Sequence, residues 1–212
     1  MGALHRRFAA VAVVLSLILA GAAVAGPPTD QLRTQIDRVI KTLENPALQK
    51  PDKVVERRKA VRRIAEEIFD FGETAKRSLA RHWQTRTPAE REEFVQLFSD
   101  LLERSYIGKV ELFNGERITY TGETIDGDLA MVRTRIVTKQ GTEIPVDYRL
   151  HKKGEKWLVY DVVIEGVSLI ANYRTQFNKI ITTSSYQELV KKMKTKQEEF
   201  LEEEKKRTSS LR

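Results

Sequence analysis

The sequence predicts an α+β domain: a four-stranded antiparallel meander whose apolar face is covered by N-terminal and C-terminal helices. Two observations carry this expectation. From position 117 the hydrophobic period changes to two, and Asp126-Gly127, Gln140-Gly141 and Lys153-Gly154 divide the stretch into three tight hairpins. On either side of it, apolar residues recur at helical spacing, up to Tyr106 and again from Leu169.

The first 25 residues read as a cleaved secretory signal. His5, Arg6 and Arg7 form a charged start, residues 8–21 an apolar run, and Ala23-Val24-Ala25 a small-residue cleavage site. Cleavage removes two arginines from a chain of net charge +7. The remaining basic excess suits an anionic membrane surface or headgroup. Secretion disfavours nucleic acid as a partner. The chain has no cysteine, so packing alone must hold it together even in an oxidising compartment.

Residues 26–205 are expected to form one domain, followed by a charged tail at 206–212. Helix 30–43 carries Leu32, Ile36, Val39, Ile40 and Leu43 on one stripe and stops before Asn45-Pro46. A second helix runs from 51 or 52 to 69. Val54, Val55, Val61, Ile64, Ala65 and Ile68 form its apolar side, and Arg57, Arg58, Arg62 and Arg63 read as a solvated face with Glu66 and Glu67. A short helix over 72–82 follows. Thr87-Pro88-Ala89-Glu90 is a capping box with proline at the first helical position, and the helix it opens shows Phe94, Leu97, Phe98, Leu101, Leu102 and Tyr106 on one broad face.

Strands are expected over 117–123, 128–139, 142–152 and 155–164. Ala130, Val132 and Ile136 alternate with Met131, Arg133 and Arg135. Ile144, Val146, Tyr148 and Leu150 alternate with Pro145, Asp147, Arg149 and His151. One sheet face is therefore apolar and the other largely charged. Asp147 and Asp161 fall near Arg133, Arg135 and Arg149, where cross-strand ion pairing is the expected role.

The stretch KWLVYDVVIEGVSLIANYRTQF, beginning at Lys156, passes from an apolar strand through Glu165-Gly166 into an amphipathic helix. Ser168 is its expected N-cap, and Leu169, Ile170, Tyr173, Phe177, Ile180 and Ile181 form its stripe. Arg174 leaves that stripe for the rim, where its guanidinium can hold a carboxylate of the fold or another anionic group. The last helix carries Tyr186, Leu189, Val190 and Met193, and the chain is almost wholly charged from Lys196.

Enzymatic chemistry finds little support. Outside the first 25 residues only His82 and His151 remain, at no metal-binding or triad spacing. Ser168 sits in GVSLI, which lacks the G-x-S-x-G elbow, and there is no phosphate-binding glycine loop.

The segment DVVIEGVSLIANYRTQF, together with FDFGETAKRSLARHWQTRTPAEREEFVQLFSDLLERSY upstream, resembles the MlaC-type (toluene-tolerance) family of periplasmic phospholipid carriers, and a looser likeness runs from about 30 to 199. The resemblance implies a non-enzymatic soluble shuttle in the periplasm. Its cargo would be phospholipid, with no other cofactor and no metal. Its partners would be an inner-membrane ABC transporter complex and an outer-membrane lipoprotein, each docked transiently, in the service of outer-membrane lipid asymmetry. Residue patterns alone leave the apolar faces as either a filled core or the lining of a cavity; the resemblance favours the cavity. Its candidate lining is Phe94, Phe98, Leu101, Tyr106, Val132, Ile136, Val146, Tyr148, Leu150, Tyr173 and Phe177, with Arg174 at the rim. A carrier for another lipid, such as a hopanoid, would share these features. A secreted enzyme on the same scaffold would need a polar pocket with converging titratable groups.

Overall fold

The computed structural model describes residues 26–210, so the expected signal segment at 1–25 lies outside the described residues. Six helices and five strands follow in the order α1 (Pro27–Glu44), α2 (Val54–Ile68), α3 (Phe71–Leu79), α4 (Pro88–Glu111), β1 (Arg117–Asp126), β2 (Leu129–Val137), β3 (Glu143–Lys153), β4 (Lys156–Ile164), β5 (Val167–Ser168), α5 (Leu169–Thr183) and α6 (Tyr186–Ser210). Single 3₁₀ turns precede α2 at Pro51–Lys53 and follow α3 at Ala80–Trp83. The helix α6 continues past position 205, where a tail was expected to begin.

The sheet is an antiparallel meander in sequence order, with one strand more than expected. The fifth arises at Glu165-Gly166, where the sequence predicts only a break between strand and helix. Both residues take positive φ, 50° and 80°. That combination closes a two-residue hairpin whose twist suits the flanking strands, so Val167 and Ser168 fold back onto Ile164 and Val163. Glycine at 166 adopts this conformation without a Cβ penalty.

Register places the apolar residues together. Val132 lies opposite Tyr148, Thr134 opposite Val146 and Ile136 opposite Ile144. Across the next ladder Val146 lies opposite Ile164, Tyr148 opposite Val162 and Leu150 opposite Val159. Irregularities after Tyr120 and at the Arg149/Leu150 step keep this face continuous despite one extra residue on β1 and on β4. Thr134, buried among apolar neighbours, satisfies its hydroxyl on the Val146 carbonyl at 2.6 Å.

Two apolar cores result. In the first, Leu32 of α1 and Ile64 and Ile68 of α2 cover Ala130, Val132, Leu150 and Val159 on the sheet. The second is helical: Ala75 and Leu79 of α3, Phe94, Leu97 and Phe98 of α4, Ile170 and Phe177 of α5, and Leu189 and Met193 of α6 pack together. Each large side chain buried this way contributes roughly 1.5–3 kcal/mol.

The cores are joined firmly along β4. Asp70 caps α3 through the Glu73 N–H at 3.0 Å, and its own N–H donates to the Val159 carbonyl at 2.9 Å. Asp161, only 4% exposed, accepts from Ser168 Oγ at 2.6 Å, from the Ile170 N–H at 3.1 Å and from Arg149 Nη1 at 3.0 Å. Ser168 in turn accepts the Ala171 N–H, which makes it the N-cap of α5. The expected pairing of Asp161 with an arginine of β3 is therefore present, and it also welds β4 to α5.

Candidate functional site

The capping box sets the start of α4: the Glu90 N–H donates to Thr87 Oγ1 at 3.2 Å, and the Thr87 N–H donates to Glu90 Oε2 at 2.8 Å. Two turns on, Phe94 and Phe98 are fully enclosed. Their rings meet Phe177 edge-on at 5.7 and 5.2 Å between centroids, and Phe98 meets Tyr173 at 5.1 Å. Such pairs add about 0.5–1.5 kcal/mol each beyond area burial. This end of the helical core is filled.

Further along α4 the packing changes. From Leu101 to Ile107 no residue is fully buried. Leu101, Leu102 and Tyr173 lie on the margin of the helical core. Tyr106 approaches Tyr173, and its phenol is raised above the ordinary value, first by burial and then by the Tyr173 hydroxyl.

A matching margin exists on the sheet. Ile136, Ile144, Val162 and Ile164 are half-buried, although register places all four on the apolar face. Val146 is buried yet belongs to neither core cluster. Tyr148 borders the sheet core, and burial alone pushes its phenol up to about 12. The half-covered residues of α4, α5 and the sheet form the margins of the two cores, whose seam runs where α5 meets β4.

The eleven candidate lining residues divide accordingly. Phe94, Phe98, Leu101, Tyr173 and Phe177 belong to the helical core or its edge, with Tyr106 reaching it through Tyr173. Val132, Tyr148 and Leu150 belong to the sheet core, and Val146 and Ile136 extend its face. Arg174 is exposed and forms no ion pair among the described residues, so the carboxylate of the fold expected to hold it is not found there.

A separate cleft of about 360 Å³ lies between the start of α1, the end of α2 and the β3–β4 pair, lined by Leu32, Ile68, Trp157 and Val159 among others. Of the candidate residues only Leu150 borders it. Among the described residues no cluster of His, Asp or Glu could hold a metal ion, and no helix is long and apolar enough to cross a membrane.

The arginines of α2 depart most from expectation. Arg57, Arg58 and Arg62 leave the expected solvated face, while Arg63 stays exposed on it with Glu66 and Glu67. Arg57 and Arg58 both reach Glu111 of α4, at 3.0 and 2.8 Å, and Arg62 pairs with Glu103 and lies 3.7 Å from Asp100. Burial acts to raise the Glu111 carboxyl, but the hydrogen bonds and charges of Arg58 and Arg57 outweigh it and hold the group below its usual range. The spacing of four between Arg58 and Arg62, facing acidic residues on α4, was the available signal. Sequence alone does not show that the two helices lie side by side.

Comparison with known proteins gives a consistent picture. The family profile described as MlaC protein matches residues 33–195. The chain is similar to the intermembrane phospholipid transport system binding protein MlaC of Haemophilus influenzae, 26% identical over 120 residues, covering 54% of this chain and 56% of that protein. It is also 26% identical over 120 residues to the toluene tolerance protein ttg2D of Pseudomonas putida, covering 56% of each. The chain thus spans just over half the length of these curated relatives. A phospholipid-binding protein from Ralstonia solanacearum, solved in complex with a phospholipid, shares the fold with a TM-score of 0.73 at 24% identity, over 83% of this chain and 99% of that one.

Proposed function

The chain belongs to the MlaC family, and from that premise and the seam between its two cores we propose that it is a non-catalytic periplasmic carrier that holds the acyl chains of a phospholipid and moves it between inner and outer membranes. The half-covered apolar margin carries the reading. It presents Leu101, Leu102, Tyr106 and Tyr173 on one side and Ile136, Val146, Tyr148 and Val162 on the other, without a charged side chain among them. Separation of the margins would give acyl chains a dry slot, with the headgroup left at its mouth in water.

The need for such a slot follows from magnitudes. At about 0.8 kcal/mol per methylene, exposing two acyl chains of roughly fifteen methylenes each costs on the order of 20 kcal/mol. A lipid therefore does not cross an aqueous compartment unshielded. The proposed route runs from an inner-membrane ABC transporter complex to an outer-membrane lipoprotein or back, with the exposed Arg174 near the mouth available to a lipid phosphate or an acidic partner surface. Residues 26–205 would act as one unit behind a signal segment at 1–25.

Native mass spectrometry of the chain from Gly26, gently isolated from a bacterium, tests the reading. A stoichiometric diacyl phospholipid is expected. Apoprotein alone, or a hopanoid in its place, would overturn it.

A further inference from the structure

The helices α2 and α4 are held to each other by charge rather than by close backbone packing. Of the buried residues of α2, Ile64 and Ile68 belong to the sheet core and Val61 to neither core, while those of α4 belong to the helical core. Three arginines and three carboxylates bridge between them, antiparallel along the two helices: Arg57 and Arg58 to Glu111, and Arg62 to Glu103 with Asp100 beside it. Arg58 engages Glu111 through both Nε and Nη2, at 3.1 and 2.8 Å, and Arg104 braces Asp100 from within α4 at 2.9 Å. The Glu111 side chain is 12% exposed and those of Arg57 and Arg58 are 16% and 24% exposed, so these pairs are better shielded than ordinary surface pairs.

Residues 112–116 join the end of α4 to β1. The connections along β4 and across α2 and α4 differ in kind. Along β4 they consist of backbone ladder, the Asp70 cap and the enclosed Asp161 cluster. Across α2 and α4 they consist of side-chain ion pairs whose groups can be hydrated separately once they part. A motion that separates the cores therefore breaks these ion pairs before the β4 ladder, with the end of α4 still tethered to β1.

We propose that Arg57, Arg58 and Arg62 of α2, with Asp100, Glu103 and Glu111 of α4, form an ionic latch across the seam that sets the rate at which cargo enters and leaves. The proposal rests on the carrier reading above, and it assigns these residues a positioning role in exchange rather than contact with the acyl chains. Closed, the latch keeps the margins together and the cargo shielded. Opened by docking, it lets α4 and α5 swing from the sheet face. Loss of the Glu111 charge leaves Arg57 and Arg58 without their shared counter-charge and lowers the barrier to opening, while the apolar lining is unchanged.

The experiment loads the wild type and Glu111→Gln with a pyrene-tailed diacyl phosphatidylethanolamine and follows its release into excess phosphatidylcholine vesicles. Glu111→Gln is expected to release about three- to tenfold faster, with the same amount bound at saturation. The exchanged pair Arg58→Glu with Glu111→Arg should bring the rate back toward that of the wild type. If Glu111→Gln does not fold, Arg62→Gln provides the same readout on the other rung. Equal release from a loaded wild type and a loaded single variant would overturn the latch, as would a charge-exchanged protein as fast as Glu111→Gln. A wild type that takes up no phosphatidylethanolamine would instead overturn the carrier reading, and the latch with it.

Discussion

At the scale of single residues, Val146 and Phe98 separate core from slot. Phe98 is enclosed by Phe94, Tyr173 and Phe177, so a larger ring there overfills packed volume and costs about 1–3 kcal/mol. Val146 is buried on the sheet but lies outside both clusters, at the margin the cargo would occupy. Thermal melting and lipid content measured together should therefore diverge: Phe98→Trp mainly lowers the melting temperature, whereas Val146→Trp mainly lowers bound phospholipid. Equal destabilisation by both, with lipid content unaffected, would make Val146 ordinary core. Some of this was legible beforehand. Alternation identified Val146 as inward-facing and the helical stripe identified Phe98, but neither pattern tells which apolar face meets which, and so the division into two cores was not readable.

At the scale of elements, the same limit explains what was found and what was missed. The capping box set the start of α4 because its signal is local, and the glycine turns marked three hairpins for the same reason. The strand β5 is two residues long, too short for any periodicity, and exists only because Glu165 and Gly166 both take positive φ. The pairing of α2 with α4 is a long-range fact, and a run of arginines on one helix reads as solvated until its partner is known. That pairing also predicts a pH dependence. Glu111 is held below its ordinary value of 4.5 in the folded protein, and Asp70 below 3.8, where burial is outweighed by the Glu73 N–H, Lys153 and His151. The unfolded chain then binds more protons than the folded one as pH falls through these values, so their stabilisation is present above about pH 4.5 and is lost below it. Urea unfolding between pH 6 and pH 3 should show a steeper loss for the wild type than for Glu111→Gln. Parallel curves would mean that Glu111 gains nothing from its arginines.

At the scale of the whole molecule, two cores joined along β4 suit the proposed carrier, because parting at their seam would leave each half folded. The sheet core keeps α1 tied to the sheet, through Thr29 to Glu123 and through the Trp157 N–H to Gln31. The helical core keeps α4 against α6, through the Tyr186 hydroxyl on the Glu90 carbonyl among other contacts. Opening at the seam would expose only the margins that cargo then covers, which links the fold to the proposed function more closely than either core does alone. The measurement that reaches this claim most directly is photo-crosslinking with a phospholipid bearing a diazirine near the end of one acyl chain, followed by peptide mapping. The account predicts adducts on both margins, in the peptides containing Leu101 to Tyr106 or Tyr173 and in those containing Ile136, Val146 or Val162. Adducts confined to the Trp157 cleft beside α1, or none above background in a protein shown to carry lipid, would contradict it.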